Sequence, residues 1–317
     1  MKARGRPLFA LALTATLVFS ALGCETSKCK DEQGRDAVCA KSLTRFLPQQ
    51  NPAPVTTTWS AGTPIKVLGL YGNITVRSGA SGAVEVAFKP FDYRAYDAEA
   101  QARDELANNL ITSVATDADG TLVISTARQP GSSNGLGADI DVKLPSNFDA
   151  LLKVRNSGQG PQNPGDVDIQ FVGSSPRVEV INDALVGSCT VMGAPSLKFT
   201  EVTCVDETMV SNVNDTVNVA TTGLIAPIQV TIASISASAG PSSITAADSD
   251  ISVTFPASAQ FSVNATATGG AVSAGSPPSS CMIQSTAPDA STITCGAAGG
   301  PEYSINTGDG NINVSFQ

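Results

Sequence analysis

The alternation of apolar and polar residues changes twice along this chain, and each change marks a different kind of element. From residue 62 the period is two. Ile65 and Val67 alternate with Lys66 and Leu68, Ile74 and Val76 with Thr75 and Arg77, and Val84, Val86 and Phe88 with Glu85, Ala87 and Lys89. Such runs are half-buried strands, and Gly72-Asn73 and Ser78 to Gly82 supply the turns between them. Over Tyr96 to Ala115 the apolar positions Ala98, Ala102, Leu106, Leu110 and Val114 recur every four residues, with no Gly or Pro. This spacing predicts an amphipathic helix over about 97–114, with Asp97 as N-cap and with Leu106, Leu110 and Val114 facing the strands. Asp119-Gly120 then turns the chain into Leu122-Val-Ile124, and from about 136 to 317 it reads as strand and turn only.

In that long strand region Val167, Ile169 and Phe171 face away from Asp166, Asp168 and Gln170, Val178 and Val180 alternate with Arg177 and Glu179, and Val217 and Val219 flank Asn218. Near the end, Ile312, Val314 and Phe316 alternate with Asn311, Asn313 and Ser315. Strand starts recur roughly every ten residues, which admits a β-sandwich or a solenoid of short strands. Residues 228–275 are rich in Ala, Ser, Thr and Gly, as in Ile235-Ser-Ala-Ser-Ala-Gly240. Side chains this small suit narrow stacked coils better than a sandwich core. The expected fold is therefore all-β, a β-solenoid (β-helix-like) domain with one inserted helix, and the β-sandwich is the alternative.

Before residue 62 the pattern is different. Lys2, Arg4 and Arg6 precede an almost wholly apolar run from Pro7 to Leu22, 16 residues that fall short of a membrane-spanning helix. The run ends in Ala21-Leu22-Gly23-Cys24, which resembles the bacterial lipobox with the order of its first two residues exchanged. Residues 1–23 are thus expected to be a lipoprotein signal peptide, with Cys24 lipidated and forming the only membrane contact. A signal peptide cut nearby without lipidation is the alternative. Residues 24–61, with their Pro48-to-Pro54 stretch, read as a polar tether, and 62–317 as the β domain. Glu25 after the cysteine favours delivery to the outer membrane of a Gram-negative cell.

Composition narrows the chemistry. The chain has 317 residues, 28 Asp+Glu against 19 Lys+Arg, and no histidine. That removes Ser-His-Asp and Cys-His catalysis and His-ligated zinc, and the acidic balance argues against a nucleic-acid partner. A single tryptophan, Trp59, leaves few stacking platforms for bases or sugars. Beyond Cys24, six cysteines fall into three local couples: Cys29/Cys39, Cys189/Cys204 and Cys281/Cys295. Structural disulfides in an oxidising envelope compete with metal binding. No couple has zinc-knuckle spacing, so the disulfides are expected and no metal or other cofactor is.

Paired acids are the remaining route to catalysis. Asp139/Asp141, Asp166/Asp168 and Asp248/Asp250 are each two apart, so on a strand both carboxylates leave one face. Such a pair on a β-helix could hydrolyse or lyse polysaccharide, whereas strands facing solvent also use Asp simply to stay soluble. Asp117-Ala-Asp119-Gly120 and Asp309-Gly-Asn311 lack the further ligands of a calcium loop and read as turns. Ser27 and Lys30 match a Ser-x-x-Lys pair, but in a tether nothing keeps the lysine dry.

Val84-Glu-Val86, Asp104-Glu-Leu106, Asp119-Gly-Thr-Leu122-Val-Ile124, Asp139-Ile-Asp-Val-Lys-Leu-Pro145 and the closing Ile305-Asn-Thr-Gly-Asp-Gly-Asn-Ile-Asn-Val314 stand in the order seen in the bacterial putative adhesin domain, which the chain resembles over roughly 62–317. The resemblance implies a β-helix-like envelope domain without catalytic residues. The function expected is a non-catalytic, lipid-anchored adhesin or surface scaffold with an envelope glycan or protein as ligand. A polysaccharide-active enzyme on the same scaffold is the alternative.

Overall fold

The computed structural model describes residues 26–30, 36–40, 43–79, 82–95, 98–158, 165–174, 176–184, 186–296 and 300–317. The chain divides into two units, 1–41 and 42–317. In the first, β1 (Thr26–Lys30) pairs antiparallel with β2 (Asp36–Ala40), Lys28 opposite Val38. Cys24 lies outside the described residues, and so do the side chains of Cys29 and Cys39.

The second unit is built from coils, each made of two strands joined by a turn. In β5 (Ile65–Gly69) and β6 (Ile74–Ser78) the β-branched residues alternate with polar ones, so one face goes inward and the other to solvent. Successive coils stack in parallel and in register. One wall runs through β9 (Leu122–Arg128), β5, β11 (Leu151–Asn156), β13 (Arg177–Asn182), the latter parts of β14 (Cys189–Cys204) and β15 (Thr208–Thr221), β17 (Ser242–Thr245), β23 (Glu302–Thr307) and β19 (Phe261–Ala267). The other runs through β10 (Leu136–Leu144), β6, β12 (Val167–Ser174), the first parts of β14 and β15, β16 (Ile228–Ile232), β18 (Ile251–Phe255), β24 (Ile312–Phe316) and β20 (Val272–Ala274). The fold is all-β and a parallel solenoid; a sandwich would need antiparallel sheets. β14 and β15 pass from wall to wall without interruption, and the bend in β15 is taken by Asn212, whose φ is 61°. Its side-chain Nδ2 donates to the Gly193 carbonyl of the coil beside it, 2.7 Å away, which holds this left-handed residue in place.

Spatial order departs from chain order at both ends. Coil β5–β6 lies between β9–β10 and β11–β12, and coil β23–β24 lies between β17–β18 and β19–β20. Antiparallel strands cover the ends beyond them. β7 (Ala83–Ala95) pairs with β10 and β8 (Leu110–Thr116) with β9. At the far end β22 (Ala290–Cys295) pairs with β19, and β21 (Cys281–Ala287) with β22. Such covers keep stacked coils from templating further strands. Between the walls Ile65, Val67, Leu152, Val178, Ile228, Val253 and Ile312 are among the fully buried side chains, and Phe255, Phe261 and Tyr303 pack ring against ring near the far end.

Two expectations need correction. Residues 43–58, within the expected tether, carry β3 (Leu43–Phe46) and β4 (Val55–Thr58), both antiparallel to β7. Trp59 follows them against Phe148. Val55 and the three threonines after it are β-formers that found an edge to pair with. The helix is also shorter than expected: α1 spans Glu99–Asn108, begins at Ala98 without a side-chain cap, and gives way to β8 at Leu110. Asp97 lies outside the described residues. The β-branched run Ile111, Thr112, Val114 and Thr116 favours the strand. A four-residue spacing is also an even one, so Leu110 and Val114 share a face in a strand as they would in a helix.

Candidate functional surface

The turn that links the first wall to the second is fixed from inside the coil. At the end of first-wall strands an inward polar residue bonds the backbone of a turn. Thr126 Oγ1 accepts from Leu70 N at 3.0 Å. Asn156 Nδ2 donates to Gly72 O and Gly165 O, each at 2.9 Å, and Asn182 Nδ2 donates to Gly165 O at 2.7 Å. Thr221 Oγ1 donates to Ala226 O at 3.1 Å and Thr307 Oγ1 to Ser249 O at 2.8 Å. These groups are buried, so each bond satisfies backbone that water does not reach. Gly72, at φ 126°, lies so close to the Ala138 carbonyl that a Cβ would collide with it.

Cys204 occupies the same inner position, in register with Asn182. The structure brings Cys189 and Cys204, the two ends of β14, to disulfide distance, with Cα atoms 6.3 Å apart and a sequence separation of 15. Cys281 and Cys295 stand opposite each other across β21 and β22, also at disulfide distance.

The outward positions divide the solenoid into two chemically distinct parts. On the coils near β5 and β6 the ladders carry ion pairs: Arg77 with Asp168, Lys153 with Glu179, Arg155 with Asp183, and Lys143 with Glu85. Exposed pairs of this kind add little stability each. After Lys198 the chain has nine acidic residues and no basic one. There the outward rows are without cations and mostly short and neutral, with Ser243 and Thr245, Asn264 and Thr266, Ser252 and Thr254, Asn313 and Ser315, and with Glu302 accepting from Asn264 Nδ2 at 2.7 Å. They bond along the rows, Thr254 Oγ1 lying 2.8 Å from Ser315 Oγ and Thr292 Oγ1 donating to Asn264 at 3.3 Å.

Every carboxylate of the three aspartate pairs has a hydrogen-bond or ion-pair partner. Asp139 accepts from Arg45 at 2.6 Å and from Asn73 N at 3.0 Å, and Asp141 pairs with Lys89. Asp166 takes both the backbone N–H and the hydroxyl of Ser188 at 2.9 Å, while Asp168 meets Arg77 and Gln170. Asp248 accepts from Asp309 N, and Asp250 from Asn311 N at 2.7 Å. The carboxylates tie neighbouring coils together. Asp117 and Asp119 close the β8–β9 turn, both accepting from Thr121 N, and these hydrogen bonds hold the Asp119 carboxyl down at about 2. Among the described residues no three His, Cys, Asp or Glu side chains gather as a metal site.

At the end covered by β7 and β8, β7, α1 and the loop before β10 meet in a second polar cluster. The Arg94 guanidinium contacts Asp92 at 2.6 Å and Glu105 at 2.9 Å, and Ser133 Oγ donates to Asp92 at 2.9 Å. Burial alone would weaken Arg94's hold on its proton, but the two carboxylates outweigh it and the net shift is upward. This cluster holds the helix in place. Beside it a groove of about 440 Å³ is lined by Pro48, Pro52, Pro90, Arg103 and Leu106, its arginine held by Glu99 at 2.6 Å.

Sequence reading missed the inner ladder, because a polar residue at an inward position looks like the end of a strand. The loss of every Lys and Arg after residue 198 is visible in the sequence and marks the rows without cations.

No family model matches this chain, and no curated protein matches it. Among solved structures it is similar to a putative cell adhesion protein from Clostridium sporogenes, at 11% identity over 84% of this chain and 100% of that one, with a TM-score of 0.34. A putative adhesin from Bacteroides fragilis is 14% identical over 85% and 100% of the two chains, with a TM-score of 0.39. A putative lipid binding protein from Parabacteroides distasonis is 12% identical over 84% and 97%, with a TM-score of 0.24.

Proposed function

We propose that this chain is a non-catalytic, lipid-anchored protein of the cell envelope, held at the outer membrane through Cys24 and acting as an adhesin or surface scaffold for an envelope glycan or protein. The observation that carries this reading is the use of the acids. The members of all three candidate pairs are spent on backbone amides, on Ser188 or on neighbouring cations, so they build the wall rather than line a cleft. General acid–base work on a glycoside needs two carboxyls facing one bond across open space. The rest of the solenoid offers continuous short polar rows, a surface suited to contact over length. Disulfides Cys29–Cys39, Cys189–Cys204 and Cys281–Cys295 fit the same oxidising compartment.

The test is a depolymerisation assay of envelope polysaccharides with the wild-type protein and with Asp166→Asn and Asp168→Asn. The reading expects no product from any of the three. Cleavage by the wild type that either substitution abolishes would establish the enzyme instead.

A further inference from the structure

Leu224 and Ile225 are the anomaly of the solenoid surface. They sit in the turn 222–227 between β15 and β16, with exposures of 71% and 88%, and Val186, at 57%, lies in the turn of a coil two steps away on the same edge. At about 4.8 Å per step, the two sites are roughly 10 Å apart along the axis. The turn has six residues, against three in 205–207 and five in 246–250. Its backbone is nevertheless fixed. Thr221 Oγ1 donates to Ala226 O, Ala226 N donates to Ser249 Oγ at 2.6 Å, and Ser249 Oγ donates to Leu224 O at 3.2 Å. Thr221 and Ser249 are buried, so the aliphatic pair is displayed on a rigid base.

We propose that this knob inserts into the surface of a neutral lipid bilayer and lays the solenoid on the membrane to which Cys24 tethers it. The inference rests on the lipid-anchor reading above. Two features select lipid. The knob is purely aliphatic, whereas anchors that bind protein are enriched in Trp, Tyr and Arg and poor in Leu. Cys24 precedes the unit 42–317 by 18 residues, at most roughly 60 Å of chain, so the bilayer is always within reach and a weak contact suffices.

Charge selects the kind of lipid. The same edge carries Asp206, Glu207, Asp248, Asp250 and Asp309, and no basic residue follows Lys198. Asp248 and Asp250 are turned onto the amides of the next coil. A neutral headgroup tolerates this edge, and an anionic one is repelled.

The experiment uses the mature chain from residue 24 with Cys24→Ser, hence without lipid, sedimented with phosphatidylcholine vesicles at millimolar lipid. The wild type should bind, and Leu224→Ser and Ile225→Ser should each lower the partition coefficient about tenfold with an unchanged circular dichroism spectrum. The emission of Ile225→Trp should shift to the blue on adding vesicles. Absence of wild-type binding, equal binding by the variants, or stronger binding to anionic than to neutral vesicles would each overturn the proposal. Lipidation of Cys24 is read separately by mass, so failure here leaves that reading standing.

Discussion

Asn156 and Asn182, one coil apart, donate their side-chain amides to the same acceptor, the carbonyl of Gly165, at 2.9 and 2.7 Å. Both are fully buried, and they stand in register at the ends of β11 and β13. The shared carbonyl couples two successive turns, which makes the ladder a property of the stack rather than of any one coil. Asn156→Ala and Asn182→Ala should each cost about 1–3 kcal/mol, the range for stranding buried polar groups. Because either amide alone still serves Gly165, the double variant should differ from the sum of the singles by at least 0.5 kcal/mol or so in urea denaturation. Strict additivity would mean the two turns are independent.

The Cys189–Cys204 link joins the two buried ends of β14 and so closes one coil onto the next. Replacing both residues by serine should cost roughly 3 kcal/mol, by the chain-entropy estimate for a loop of this length. Peptide mapping without reduction should recover Cys189 with Cys204 and Cys281 with Cys295. Free thiols at either couple would refute the pairing.

Leu106 was expected to be a buried anchor of a long helix, and it is half-buried beside the proline-lined groove. Leu106→Ala should therefore cost only about 1 kcal/mol, whereas Leu152→Ala, fully enclosed between the walls, should cost about 2–5 kcal/mol. Thermal or chemical unfolding of the two variants side by side distinguishes them. Equal losses would contradict the placement of α1 at the periphery.

The turn at Asp119 gives a pH signature of known sign. Its folded-state carboxyl is held down at about 2 by Thr121 and Asp117, below the usual range for an aspartate. The ionised group therefore contributes stability above the unfolded value near 4, and that contribution disappears as the pH falls through about 2. An NMR titration of the Asp119 carboxyl should show a midpoint close to 2, and Asp119→Ala should move Thr121 more than any residue outside the turn. A midpoint near 4 would remove the hydrogen bonds from the account.

Much of the wall structure was legible in the sequence because one inward and one outward set of residues repeats so plainly. Ile65, Val67, Ile74, Val76, Val178 and Val180 all lie on the buried face their alternation assigns. The order of the coils was not legible. β23–β24 slots between β17–β18 and β19–β20, and β5–β6 between β9–β10 and β11–β12. Strands this alike in pattern carry no local mark of which neighbour they choose. The helix was overextended for a related reason: Leu106, Leu110 and Val114 satisfy a helical and a strand spacing at once, and only the β-branched composition after Leu110 separates them. The aspartate pairs were visible as pairs, but their partners, such as Ser188 for Asp166 and Arg45 for Asp139, come from other coils and strands.

The most direct test of a lipid-anchored envelope solenoid is the mass of its own N-terminus. Protein extracted from the membrane fraction and digested should yield a first peptide beginning at Cys24 and carrying a diacylglyceryl group. A mature chain beginning at another residue, or a Cys24 peptide without lipid, would contradict the anchor and the function built on it.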